Sequence, residues 1–273
     1  MLGKRIATAA VLIPLLVASI LLSVGRRWGW PFLLFCGVSV ALCANEWLRM
    51  FFGGVRDRAS GVLLAVLVFL AVALLPGFLG VPALLAYVLL SVFHALPGNA
   101  TPAEKTRTAA MLSLAAVYVG GLMAMYPRTL LLPHGEHWVL MGVVAVSIGD
   151  TLAYFTGKAV GRTKLAPAIS PNKTVEGAVG GLLGSVAGAA LYAHGFLPEV
   201  PAWYAAAAGG AVGIFGQGGD LFESLLKRAA GVKDSGTIFP GHGGILDRAD
   251  GVLAAGPVLH LFAAMSYLSR WGA

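Results

Sequence analysis

Acidic and basic residues crowd into one segment of an otherwise apolar chain. From Asp220 to Asp250 the sequence reads DLFESLLKRAAGVKDSGTIFPGHGGILDRAD, which carries Asp220, Glu223, Asp234, Asp247 and Asp250 beside Lys227, Arg228, Lys233 and Arg248. Carboxylates at that density suit an oxygen-seeking cation such as Mg2+, and the bases suit the phosphate oxygens such a cation bridges. At helical spacing 220, 223, 224 and 227 share a face, so two carboxylates, the Ser224 hydroxyl and a base converge there. A surface helix laced with solvated ion pairs is the alternative, weakened by the two glycines that precede Asp220. Asp247 and Asp250 also stand one turn apart. Between the two acid pairs, Pro240-Gly241-His242-Gly243-Gly244 is a backbone whose amides can wrap phosphate oxygens. His242 is a base or zinc ligand by type, but no second His or Cys stands at ligand spacing, so phosphate contact or loop support is the better reading.

Two further clusters precede this segment. GDTLAYFTGK places Asp150 in an apolar run with Tyr154 one turn on, and an acid in such a run is expected to function or to pair with a base. Ser170-Pro171-Asn172-Lys173-Thr174-Val175-Glu176-Gly177 leads into a glycine-rich helix. Free amides there, with Lys173 and the Thr174 hydroxyl, make an anion site, and Glu176 could hold the lysine or a metal; an ordinary capped helix start reads equally well. Together these groups point to phosphoryl or nucleotidyl transfer. The phosphate-binding loop Gly-x-x-x-x-Gly-Lys-Ser/Thr, the kinase motifs and a serine-histidine-acid arrangement are absent from the sequence.

The elements that must position these groups are membrane helices. Of the 273 residues 58% are hydrophobic and only 11% charged, and the mean hydropathy is +0.83, outside the range of a water-soluble domain. Apolar runs of roughly the 20 residues a bilayer requires fall at 6–25, 31–50, 60–80, 81–97, 109–127, 138–157, 174–196, 202–222 and 251–269, which predicts an all-α protein with about nine spans. With nine spans most Lys and Arg sort to one face, which puts the N-terminus and the 223–250 segment in the cytoplasm and the C-terminus outside. The first run reads as an uncleaved anchor behind Lys4 and Arg5. Residues 1–137 are expected to form a scaffold half of about five helices. Residues 138–273 would form a catalytic half of about four, with cytoplasmic loops at 158–173 and 223–250.

Gly177, Gly180, Gly181, Gly184 and Gly188 make the seventh run thin on one side, and Ala205–Ala208, Gly209, Gly210 and Gly213 do the same for the eighth. These two helices are expected to pack closely near the site. Cys36 and Cys43 lie seven apart within one apolar run and read as structural thiols. The net charge of +7 is spread over several loops on one face, which argues for anionic lipid headgroups and against nucleic acid.

The pattern Ser224-Leu225-Leu226-Lys227-Arg228, then Lys233-Asp234, then His242-Gly243-Gly244-Ile245-Leu246-Asp247-Arg248-Ala249-Asp250, closely resembles the signature of the CDP-diacylglycerol synthase, or phosphatidate cytidylyltransferase, family. Asp150-Thr151, Ser170-Pro171 and Gly219-Asp220-Leu221 with Glu223-Ser224 resemble further motifs of that family, so the likeness covers roughly 140–270 and reaches the earlier spans only in hydropathy. Asn172 stands where a lysine is more usual and Ala249 where a bulkier apolar residue is common. The resemblance implies the reaction of CTP with phosphatidate to give CDP-diacylglycerol and pyrophosphate, a step of phospholipid biosynthesis, at the cytoplasmic face of the inner membrane.

On that footing Mg2+ would be held chiefly by Asp220 and Asp247, with Glu223 and Asp250 as supporting or additional ligands and with room for a second cation. Lys227, Arg228, Lys233 and Arg248 would hold phosphate oxygens, with Lys227 and Arg248 at the reacting phosphates. Ser224, Lys173, Thr174, Asp234, His242, Gly243 and Gly244 would touch substrate, and Asp150 would orient a base or the metal. CTP, phosphatidate and membrane lipids are the expected partners; a homodimer is compatible with the sequence. A CTP-dependent lipid kinase and a cation-coupled transporter using the same acids are the competing functions.

Overall fold

The computed structural model describes residues 2–236 and 243–268. Helices dominate, as the apolar runs require: α1 (Leu2–Leu21), α2 (Trp30–Phe51), α3 (Val55–Leu74), α4 (Gly77–Ala95), α5 (Pro102–Ala115), α6 (Met125–Leu130), α7 (Gly135–Val160), α8 (Val175–Phe196), α9 (Ala202–Ala229) and α10 (Leu246–Leu268). A π-helical stretch, Ala116–Gly121, links α5 to α6. The departure from an all-helical reading lies in the 158–173 loop, where β1 (Lys164–Ala166) and β2 (Ser170–Thr174) pair antiparallel, with Lys164 opposite Thr174 and Ala166 opposite Ser170. Among the described residues, 6 helices are long and apolar enough to cross a membrane: α2, α3, the α5–α6 rod, α7, α8 and α10. The apolar parts of α1 and α4 are shorter, Ala10–Leu21 and Pro82–Ala95. Large apolar side chains point outward at Phe93, Leu191 and Phe215, as suits a surface solvated by lipid and not by water.

The chain divides into two units, one of Met1–Arg128 with Asp234–Asp247, the other of Thr129–Lys233 with Arg248–Ala273. In the first, α2 packs on α3, α3 on the π-helical stretch and α4 on α5. Trp47, Leu48, Phe69 and Leu112 are fully buried at its centre, and Gly61 leaves room for the Leu48 and Leu112 methyls. Local signals fix the helix ends. Thr101 and Glu104 form a reciprocal capping box ahead of α5 with Pro102 at its first position, and the Arg128 guanidinium donates to the free carbonyls of Val72 (2.8 Å) and Leu75 (3.2 Å) at the end of α3.

In the second unit, α8 packs most extensively on α7 and then on α9. The α8 glycines meet α7 foremost: Gly177 faces Ala153 and Gly157, Gly180 faces Thr156, Gly184 and Gly188 face Ile148, and Gly181 faces both Gly149 of α7 and Gln217 of α9. The expected contact of α8 with α9 also forms, through Gly209 and Gly213 of α9 against Ser185. Small residues on both sides let the three backbones approach closely enough for van der Waals packing and for the Ser185 hydroxyl to reach the Ala145 carbonyl (3.0 Å). That packing brings the polar ends of α7, α8 and α9 together.

Candidate active site

In the second unit three carboxylates gather. Asp220 and Glu223 leave α9 from one face, as their spacing predicts, and Asp250 comes from the first turns of α10; one ligand atom of each lies within 4.8 Å of the others. Gly219 makes this possible. A Cβ at that position would sit 2.5 Å from the Asp250 carbonyl oxygen and from the Ala254 methyl, so only glycine lets α9 pass α10 at the height of the acids. Gly216 lies against Gly251 one turn earlier. Asp150, from α7, lies within electrostatic reach of both Asp220 and Asp250 and adds a fourth acid to the group.

Two lysines offset part of this charge. Lys173 Nζ lies 2.6 Å from Asp220 Oδ2, and Lys227 pairs with Glu223 one turn back on α9. Glu223 is 1% exposed, so its pair with Lys227 sits in a poorly screened setting where losing the partner is costly. Lys173 reaches Asp220 because the β1–β2 hairpin, in the segment expected as a loop, carries it directly ahead of α8. Ser224 lies beside Asp220, its hydroxyl 3.5 Å from Oδ1.

Other expected site residues have local partners. Thr174 is the N-cap of α8 and accepts the Gly177 amide (3.1 Å), while Glu176 accepts the Arg162 (3.0 Å) and Thr163 (3.1 Å) amides and so ties the hairpin to α8. Arg228 donates to the carbonyls of Ile169 (3.2 Å) and Val232 (3.4 Å), fastening the hairpin turn to the end of α9. Lys233 and Arg248 are exposed.

In the first unit Asp247 accepts from its own loop. Its Oδ2 accepts from the Ser235 amide (3.1 Å), the Ser235 hydroxyl (2.8 Å) and the Gly244 amide (2.7 Å). Gly243 adopts a φ of 79°, the left-handed region, which turns the chain back toward Asp247. Asp234 is exposed, and His242 lies outside the described residues. The same loop engages an acid the motifs do not reveal: Glu46 of α2, whose Oε2 accepts from the Leu246 amide (2.9 Å) and the Ser235 hydroxyl (3.1 Å). The signal was present, since Glu46 is an acid inside the 31–50 apolar run.

Comparison with known proteins agrees with this chemistry. Residues 3–266 match the cytidylyltransferase family. A phosphatidate cytidylyltransferase of Pseudomonas aeruginosa is 37% identical over 285 aligned positions covering 100% of both chains. One of Bacillus subtilis is 38% identical over 67% of each chain. One of Staphylococcus aureus is 44% identical over 58% of this chain, and there the match spans 60% of the relative's own length. The chain therefore belongs to the cytidylyltransferase family.

Proposed function

We propose that the protein transfers the cytidylyl group of CTP to phosphatidate, forming CDP-diacylglycerol and pyrophosphate, as a multi-pass enzyme of the inner membrane. The observation that carries the reading is the convergence of Asp220 and Glu223 of α9 and Asp250 of α10 with Lys173 and Lys227. A hard divalent cation bound at about 2.1 Å has opposite ligands roughly 4.2 Å and adjacent ones roughly 3 Å apart, so the three carboxylate oxygens, which lie within 4.8 Å of one another, would draw together to hold one. These residues fit Mg2+, which when bound supplies charge neutralisation to the phosphates and to the leaving pyrophosphate.

The chain's own groups do the rest. An oxygen of the lipid phosphate attacks the α-phosphorus of CTP, a new P–O bond forms and the bond to pyrophosphate breaks. A phosphomonoester is already anionic near neutral pH, so the step requires orientation more than a protein base. Lys173 and Lys227 stand where phosphate oxygens can replace carboxylates as their partners, and charge-assisted bonds from them oppose the negative charge of two converging phosphates. Arg228, Lys233 and Arg248 extend that basic surface. Asp150 and Ser224 orient the groups around Asp220, while Asp247 is assigned to the same chemistry on the sequence motif it shares with Asp250.

The finer topology is part of the proposal. Nine spans, a cytoplasmic N-terminus, an external C-terminus and a cytoplasmic site accord with the sorting of bases by loop, and residues 138–273 form the catalytic half. Purified protein in mixed micelles with CTP, Mg2+ and phosphatidate is expected to release pyrophosphate and form CDP-diacylglycerol. Release of CDP with a new lipid phosphate would instead indicate a lipid kinase, and absence of turnover would reject both.

A further inference from the structure

We infer that Glu46 is a positioning residue that sets the loop carrying Asp247 and the start of α10, an inference that rests on the proposed cytidylyl transfer. Glu46 sits in the apolar α2 and is 1% exposed. Burying an acid so is costly unless other groups satisfy it. Its partners come from far along the chain: the Ser235 hydroxyl, 189 residues on, and the Leu246 amide, 200 residues on. Leu246 is the first residue of α10, so Glu46 supplies an acceptor to an amide that has no partner within the helix, at the end where partial positive charge collects. The loop is shaped around this carboxylate. A Cβ at Gly236 or Gly244 would collide with the Glu46 oxygens, so two glycine backbones close over it.

Ser235 passes the constraint to Asp247. Its hydroxyl lies near both carboxylates but has one hydrogen to give. The Ser235 and Gly244 amides hold Asp247 whichever acid that hydrogen serves. Packing alone would be served in the apolar α2 by a residue without that desolvation cost. Within the first unit Glu46 thus stands as an outer support for the loop of Asp247, a carboxylate that the proposed function assigns to the reaction.

The test compares wild type, Glu46→Gln, Ser235→Ala and the double variant, all as full chains in mixed micelles. The readouts are kcat, KM for each substrate, the Mg2+ concentration giving half-maximal rate, Tm, and hydrogen exchange at the Gly244 and Leu246 amides. Glu46→Gln is expected to lower kcat by about 10–100-fold, the usual effect of losing such a support. It should also raise the Mg2+ requirement, leave KM for phosphatidate near its original value and speed exchange at both amides. Ser235→Ala should act in the same direction, and the double variant should be little worse than Glu46→Gln, because both changes break one chain of bonds. Losses that multiply in the double variant, or an unchanged Mg2+ requirement and unchanged exchange in Glu46→Gln, would overturn the inference. If Glu46→Gln does not fold, Glu46→Asp decides: wild-type kcat and exchange rates would overturn the inference, and lowered kcat with faster exchange at the Leu246 amide would support it. A wild-type protein that makes no CDP-diacylglycerol removes the proposed function instead, while amide exchange still tests the tether.

Discussion

The carboxylates of Asp220 and Asp247 are held by different kinds of partner. Asp220 meets the ammonium of Lys173 and stands in a group with Glu223 and Asp250, whereas Asp247 accepts two backbone amides and a hydroxyl from its own loop. A lysine on a flexible stem can release one anion for another, so acids paired with lysines can exchange partners when phosphates and a cation arrive. Amides fixed in a loop cannot leave without refolding the loop. The first arrangement suits binding, and the second suits holding a shape.

The largest effects should come from the acids and should differ in kind. Asp220→Asn is expected to lower kcat by more than about 100-fold, beyond what loss of an outer support costs, with little change in Tm. Asp247→Asn should also nearly abolish turnover, but it additionally weakens bonds to a charged acceptor, each worth about 1.5–3 kcal/mol, and so lowers Tm. Kinetics and thermal unfolding in detergent read both; equal loss of Tm in the two variants would collapse the contrast, and near wild-type activity in Asp220→Asn would remove that residue from the cation site.

Gly219→Ala comes next, because the added methyl meets the Asp250 carbonyl and Ala254 and forces α9 from α10. Overpacking of this kind costs about 1–3 kcal/mol, and a fall in kcat larger than the fall in folded fraction is expected since the acids move apart. An unchanged Mg2+ requirement would mean the helices absorb the strain elsewhere. The smallest effect belongs to Thr174→Ala, which removes the α8 cap at about 1 kcal/mol, read as a lower Tm that Thr174→Ser restores. A rise in KM for CTP in the alanine variant would place the hydroxyl on substrate as well.

Much of the acid cluster is legible in the sequence, because Asp220, Glu223, Ser224 and Lys227 share a helical face that only the backbone period is needed to see. Glu46 is less legible. It carries no motif, and its partners lie 189 and 200 residues away, so its reach to the 235–246 loop cannot be derived from local pattern. The β1–β2 hairpin is missed for another reason: five polar or turn-forming residues of β2, Ser170 to Thr174, read as well as a helix entrance as they do a strand. The glycines of α8 predict close packing correctly, but a stripe of small residues does not name its partner, and the face it offers is taken mainly by α7 with α9 on the flank.

By itself the sequence determined that this is a helical membrane protein with most of its acids in the second half, since hydropathy and the helical repeat are properties of neighbouring residues. The tertiary structure alone decided that a hairpin delivers Lys173 to Asp220 and that Glu46 braces the loop ending at Asp247, while the meeting of Asp250 with Asp220 and Glu223 follows the expectation drawn from their motifs. Each of these depends on backbones meeting across long sequence separations, where the absence of a side chain at Gly219, Gly236 or Gly244 sets the distance of approach.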